Sequence, residues 1–212
     1  MTSARARLIE SARAAGLPAW YTRLKLCLMP LESWDAALPP GGVVLDVGCG
    51  VGYVAGFLAQ AHPERRVVAY DPDAARVRTA AALLAGQGNA QAVVADRPPV
   101  NPGTASGAVI ADILHHVPFA DQADVLRAVR EAMKPDARLV VRETNRRWSV
   151  RYMLFHVLLE GLLYLGKEKM RFRTAAVWEL MLADAGFEVL EQQSSPWWFP
   201  YITVTFLCRA RA

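Results

Sequence analysis

Asp46, Gly48, Gly50 and Gly52 stand at alternate positions within VVLDVGCGVGYVAG, residues 43–56. Glycine lets a backbone turn sharply and lets a ligand come closer than any Cβ would permit. A carboxylate two residues ahead of the first glycine suits an ammonium group and repels a phosphate. Asp71 closes the next apolar run, where its two oxygens can accept both hydroxyl protons of a ribose. Further along, ADILHHVP brings Asp112, His115 and His116 into a five-residue span that offers proton acceptors and metal-ligand types together.

Two cofactor classes combine a glycine loop with a ribose acid. A dinucleotide needs a G-x-G-x-x-G/A cradle for its diphosphate, and counting from Gly48 puts Tyr53 at the last position. Gly50, Gly52 and Ala55 satisfy the spacing formally, which keeps an NAD(P)-dependent oxidoreductase as the alternative reading. The D-x-G-x-G-x-G form is different, because its leading acid matches a positive group. Gly56, four residues beyond Gly52, is expected to let the following helix pack closely on the strand.

These residues need rigid elements to hold them. Apolar runs predict strands at 43–47, 66–70, 91–95, 108–113, 137–142, 187–192 and 202–209, separated by helical patterns at 51–61, 73–85, 120–133 and 174–185. The first five runs are apolar throughout rather than alternating, as strands are when helices cover both faces of a parallel sheet. Helices are expected at 4–15 and 20–37, before the Pro39-Pro40-Gly41-Gly42 breaker. The last two strands have no helix between them, so one should be antiparallel near the edge. The expected fold is α/β, a doubly wound, mostly parallel, seven-stranded Rossmann-like sheet with one antiparallel strand, N-terminal helices, and a helical insertion after the fifth strand.

The run Val43–Gly52 resembles the first motif of class I S-adenosylmethionine-dependent methyltransferases of the small-molecule type. VVAYDPD, VVADRPP and ADILHHVP follow in that family's order, and the resemblance extends over about residues 41–209. It implies S-adenosyl-L-methionine as cofactor and S-adenosyl-L-homocysteine as product. Asp46 and the Gly48, Cys49, Gly50 and Gly52 loop would hold the methionyl part, and Asp71 the ribose. Asp96 with Arg97 would meet the adenine edge, Pro72 would pack beside it, and Asp112 is counted with the same set. Two departures stand out, Ser106 where many relatives open the fourth strand with aspartate, and Arg97 where a small or apolar residue is common. Both concern adenine binding rather than the sulfonium.

A methyl on a sulfonium is already activated, so a base matters only when the acceptor must lose a proton. His115 is the candidate base, and His116 is read as packing against the next helix or meeting substrate. Some metal-assisted methyltransferases carry E-x-x-E-H here. Asp112, His115 and His116 offer ligand types at that spacing, but with a shorter acid and one carboxylate fewer no metal is expected.

At 212 residues the chain suits one domain, and its 53% hydrophobic content excludes a disordered chain. It divides into a helical cap (1–40), a cofactor-binding core (41–145), a lid insertion (146–173) and a C-terminal helix with a strand pair (174–212). Three cysteines without a C-x-x-C pair indicate neither a disulfide framework nor zinc, and a cytoplasmic setting is the expectation. The net charge is +4, but residues 142–173 alone carry eight Lys/Arg against three Glu. That stretch is apolar in its middle, so it can cover an apolar acceptor, touch a lipid surface or pack as core. Tyr21, Trp148, His156 and Trp197 join His116 as candidate substrate contacts.

The expected activity is methyl transfer to oxygen or carbon of an apolar small molecule, phenolic or acyl-chain. A nucleic-acid acceptor is not expected, because the [DNS]-P-P-[YFW] box of amino-methylating DNA enzymes is replaced by ADIL. A protein acceptor stays open, as does the oligomeric state. A non-catalytic module that presents the basic, hydrophobic stretch to a membrane or partner is the further alternative.

Overall fold

The computed structural model describes residues 3–146, 170–197, 199 and 202–212. Three helices come first, α1 (Ala4–Ala14), α2 (Ala19–Cys27) and α3 (Leu31–Ala37). Residues 20–37, expected as one helix, are two. Pro30 stands at the N-cap of α3, where its missing N–H costs nothing.

The sheet is built from β1 (Gly42–Val47), β2 (Arg65–Asp71), β3 (Ala90–Val94), β4 (Ala105–Ala111), β5 (Met133–Thr144), β6 (Phe187–Ser194) and β7 (Thr203–Ala210). Their order is β3-β2-β1-β4-β5-β7-β6, with β7 antiparallel to both neighbours and the other pairs parallel. Four further helices among the described residues connect them: α4 (Tyr53–Ala61), α5 (Ala74–Leu83), α6 (Gln122–Ala132) and α7 (Ala175–Asp184). The chain reverses direction across the sheet between β1 and β4, and a ligand crevice forms beyond the C-terminal strand ends at such a point. The helix expected to run to Met133 ends at Ala132. Met133 already pairs with Ala105, ahead of a register shift that brings Arg138 opposite Gly107.

Alternation along the strands divides the core in two. Val44, Val67, Ala69, Val109 and Val140 meet the side of α1, α3, α4 and α5, while Leu45, Val68, Ile110, Leu139 and Val141 meet that of α6 and α7. The same alternation sends Arg142 toward Trp34 of α3, its guanidinium 6.0 Å from the ring, and the next residue, Glu143, to the other face. The N-terminal helices are pinned by Arg65, fully buried at the start of β2. It donates to the Asp35 carboxylate and to the Pro39 and Leu58 carbonyls. Removing one partner of such a buried pair costs roughly 3–5 kcal/mol.

Gly56 corrects an expectation. A Cβ there would stand 2.7 Å from Leu83 and 2.8 Å from Leu8, so the glycine admits α5 and α1 against α4 rather than a strand. Among the described residues, no helix is long and apolar enough to cross a membrane. The helical lid insertion expected at 146–173 lies outside the described residues except for 146 and 170–173.

Candidate functional site

The loop after β1 is organised by two carboxylates. Asp46 is 2% exposed, and its Oδ2 accepts from the Ala55 N–H at 2.9 Å, in the first turn of α4. The N-cap of that helix is Gly52, which has no side chain to accept from the free N–H groups, so the strand residue does it instead. Burial pushes the Asp46 carboxyl up to about 7, helped by the charge of Asp71 and opposed by the Ala55 N–H. Asp71 accepts from the Gly50 N–H at 3.0 Å and from the Asp73 N–H at 2.9 Å. Asp73 then caps α5, accepting from Ala75 and Arg76. Cys49 donates its N–H to the Tyr70 carbonyl, and burial pushes its thiol far above the ordinary range.

The three loop glycines have separate reasons. A Cβ on Gly48 would stand 2.8 Å from Ile113, and one on Gly52 3.0 Å from Ala80, so those two are dictated by the protein's own packing. Gly50 has φ +53° and nothing within 4 Å of where its Cβ would be. It is the loop position with room for a ligand against bare backbone.

On the other side of the crevice, β4 ends in a 3₁₀ turn, Leu114–His116. Glu143 at the end of β5 is fully buried and holds this turn. Its Oε1 accepts from the Ile113 N–H at 2.9 Å and the Leu114 N–H at 2.6 Å, and its Oε2 lies 2.7 Å from His115 Nδ1. The His115 ring is 10% exposed, between His116 (centroids 4.3 Å apart) and Phe172 (5.3 Å). Gln122, fully buried at the start of α6, donates to the Leu114, Val117 and Arg171 carbonyls and accepts from Arg173. Arg171 donates its backbone N–H to the His115 carbonyl and a guanidinium N–H to that of His116. The chain returning at 170–173 is thereby fastened to the histidine turn.

The structure brings Asp46, Gly48, Cys49, Gly50, Gly52 and Asp71 together at one end of β1 and β2, with Ile113 joining the histidine turn to them. Pro72 is exposed on the turn into α5, and Asp96 and Arg97 are exposed on the turn after β3. The Ala95 N–H donates to the Asp71 carbonyl and ties that turn to β2. Asp112, at φ 56°, forms an ion pair with Arg142. Of the side chains suggested as metal ligands, Asp112 is therefore engaged with Arg142 and His115 with Glu143. Among the described residues, no group of three His, Cys, Asp or Glu is placed to hold a metal ion. Tyr21 lies on the exposed side of α2 beside Trp20, and Trp197 is 85% exposed. Trp148 and His156 lie outside the described residues.

Sequence reasoning passed over Glu143, Gln122 and Arg142. Glu143 carries the signal used for Asp71, an acid closing an apolar strand, but within a basic stretch it reads only as one more charge. Tyr53, the residue that breaks the dinucleotide spacing, has a use of its own. Its hydroxyl meets Thr22 Oγ1 at 2.9 Å, both residues buried, and joins α2 to the first turn of α4.

The loop fits S-adenosylmethionine better than a dinucleotide. The Gly50 and Ala55 N–H groups that a diphosphate would draw on already donate to two carboxylates, whose charge opposes a second anion. Asp71 keeps accepting capacity on both oxygens for ribose hydroxyls, and the Gly50 backbone is open to a ligand.

Comparison with solved structures gives the same fold at low identity. A S-adenosylmethionine-dependent methyltransferase from Methanosarcina mazei is 18% identical, with 87% of this chain and 98% of that one covered and a TM-score of 0.69. The pyocyanin biosynthetic protein PhzM is 23% identical at a TM-score of 0.70, covering 92% of this chain and 58% of that one. The mitomycin 7-O-methyltransferase MmcR is 22% identical at a TM-score of 0.68, covering 99% and 61%. A [4+2]-cyclase, SpnF, reaches a TM-score of 0.70 at 15% identity, so the fold by itself does not name a reaction. No curated protein matches the chain. The model of the methyltransferase-domain family matches residues 21–192, from α2 through both sides of the crevice to β6, and the chain accordingly belongs to that family of S-adenosylmethionine-dependent methyltransferases.

Proposed function

We propose that the methyl acceptor is an apolar small molecule bearing a phenolic or acyl-chain hydroxyl, and that His115 takes the proton the hydroxyl loses. The observation that carries this reading is the position of the histidine turn. Ile113 packs on Gly48, so the turn with His115 adjoins the loop that holds the donor. Bound S-adenosylmethionine supplies an activated methyl on a sulfonium and leaves as S-adenosylhomocysteine. The protein's own share is to hold the acceptor in line, exclude water and accept a proton, and orientation alone can supply roughly 7–11 kcal/mol of such a barrier.

Asp46 and the open Gly50 backbone receive the methionyl part in this reading, and Asp71 the ribose. Pro72, Asp96 and Arg97 lie beside the adenine. Asp112, oriented by its ion pair with Arg142, belongs to the same cofactor set. Tyr21, His116 and Trp197 form walls for the acceptor, with Trp148 and His156 as further candidates on the insertion. A structural neighbour named as a 7-O-methyltransferase supports oxygen as the acceptor atom, and carbon is the second choice.

The test is incubation of the purified protein with methyl-labelled cofactor and a panel of phenols, hydroxylated acyl chains, matched amines, a peptide mixture and nucleic acid. Label is expected in the hydroxyl compounds and absent from their O-methylated counterparts. Label confined to amines, peptides or nucleic acid would overturn the proposal.

A further inference from the structure

The fully buried Glu143 presents two differently engaged oxygens. Oε1 accepts two backbone N–H groups, from Ile113 and Leu114, and Oε2 faces His115 Nδ1. Two of these three partners can only donate. A carboxylate satisfies all three when Nδ1 carries a hydrogen, and a neutral imidazole with its hydrogen on Nδ1 has its basic lone pair on Nε2. We infer that Glu143 is a positioning residue that fixes His115 in the Nδ1–H tautomer, making Nε2 the atom that accepts the proton of a hydroxyl acceptor. Its catalytic consequence rests on the reading of His115 as base, while the tautomer assignment does not.

The proton balance is simple. The acceptor oxygen would form its bond to the methyl carbon as the sulfonium's S–CH₃ bond breaks with its electron pair left on sulfur, and the hydroxyl hydrogen passes to Nε2, which makes the imidazole a cation. Glu143 Oε2 faces the Nδ1 side of that cation at 2.7 Å. Water completes the cycle by removing the proton from Nε2 after the product leaves. The turn that carries His115 is held by the same carboxylate, so ring orientation and ring tautomer are set by one group. Gln122 fixes the far side of the turn through the Leu114 and Val117 carbonyls, leaving the backbone little freedom to rotate the ring away.

Glu143→Gln separates the two duties. An amide has one accepting oxygen and one donating nitrogen. If its oxygen keeps the Ile113 and Leu114 N–H groups, its NH₂ must donate to Nδ1, which forces the hydrogen onto Nε2 and removes the base. Long-range ¹⁵N–¹H spectra of histidine-labelled protein with S-adenosylhomocysteine bound read the tautomer directly, with the His115 signals assigned by their loss in His115→Gln. Wild type should show Nδ1–H, Glu143→Gln should show Nε2–H, and Glu143→Asp, still a pure acceptor, should keep Nδ1–H.

In parallel, methyl transfer to a hydroxyl acceptor from the labelled panel should fall by about 10²-fold or more in Glu143→Gln, with the acceptor KM and the Kd for S-adenosylhomocysteine within about twofold of wild type. Nε2–H in wild-type His115, or an unchanged tautomer in a folded Glu143→Gln, overturns the inference. Should Glu143→Gln fail to fold, the wild-type and Glu143→Asp spectra still decide it. If the tautomer switches while turnover does not change, the tautomer assignment stands and the base reading of His115 fails.

Discussion

The loop after β1 and the turn after β4 touch each other through Gly48 and Ile113, yet they are held in unlike ways. In the loop, Asp46 and Asp71 accept from backbone N–H groups of the loop itself and of the helix starts that follow, at 2.9–3.0 Å. In the turn, Glu143 from the end of β5 and Arg171 from the returning chain reach His115 and its neighbours from positions remote in sequence, and Gln122 at the start of the next helix holds the Leu114 carbonyl. The difference teaches how each half can change. The loop's partners lie within its own strand–helix units, whereas the turn's lie outside them and can be altered without disturbing the loop.

The strongest test of that division is His115→Ala, which should lower turnover by about 10²–10⁴-fold and leave the Kd for S-adenosylhomocysteine unchanged, as read by label transfer and calorimetry. An equal loss of cofactor affinity would mean that loop and turn behave as one unit. Asp71→Ala is the converse. It removes a charged acceptor for both the Gly50 N–H and the ribose, so S-adenosylhomocysteine should bind about 10–100-fold more weakly. Much of the turnover should return at saturating cofactor. Gln122→Ala leaves the Leu114 and Arg171 carbonyls and the Arg173 guanidinium short of a partner, and should cost about 1–3 kcal/mol in denaturant unfolding while cofactor affinity holds.

The smallest expected effect concerns pH. Asp46 is raised to about 7 from an ordinary 3.8, so between those values the folded chain keeps a proton that the unfolded chain has released. The contribution of this site to stability is therefore present at low pH and declines as pH rises toward 7. Asp46→Asn, still able to accept from the Ala55 N–H, should flatten the fall in Tm between pH 5 and 8. Binding should respond with the opposite sign. If the carboxylate receives the cofactor's ammonium, affinity for S-adenosylhomocysteine rises from pH 6 to pH 8, and a flat profile would assign Asp46 to helix capping alone.

The loop after β1 was legible in the sequence for a local reason. Apolar strand, acid, glycine loop and helix start are contiguous there, and the acid's partners lie within the same supersecondary unit. Even so, three glycines that look alike proved to have different neighbours, because Ile113 and Ala80 reach Gly48 and Gly52 from other elements. Gly56 was assigned to helix–strand packing for want of any sign that α1 and α5 would both close on it. On the acceptor side His115 could be picked out by type, but its partner could not. Glu143 is separated from it by a helix and a strand, and the +5 charge of its stretch hid a carboxylate that belongs to the core.

What the sequence alone determined is the alternation of strands and helices in the sheet and the contiguous strand, acid, glycine loop and helix start after β1, all written in short segments whose chemistry acts along the chain. The tertiary structure decided which glycine stays open and that Asp112 answers Arg142. It also placed successive residues of β5 on opposite faces, so that Glu143 meets His115 while Arg142 meets Trp34. A strand turns neighbouring side chains to opposite sides, and only the packing of remote elements supplies what each side meets.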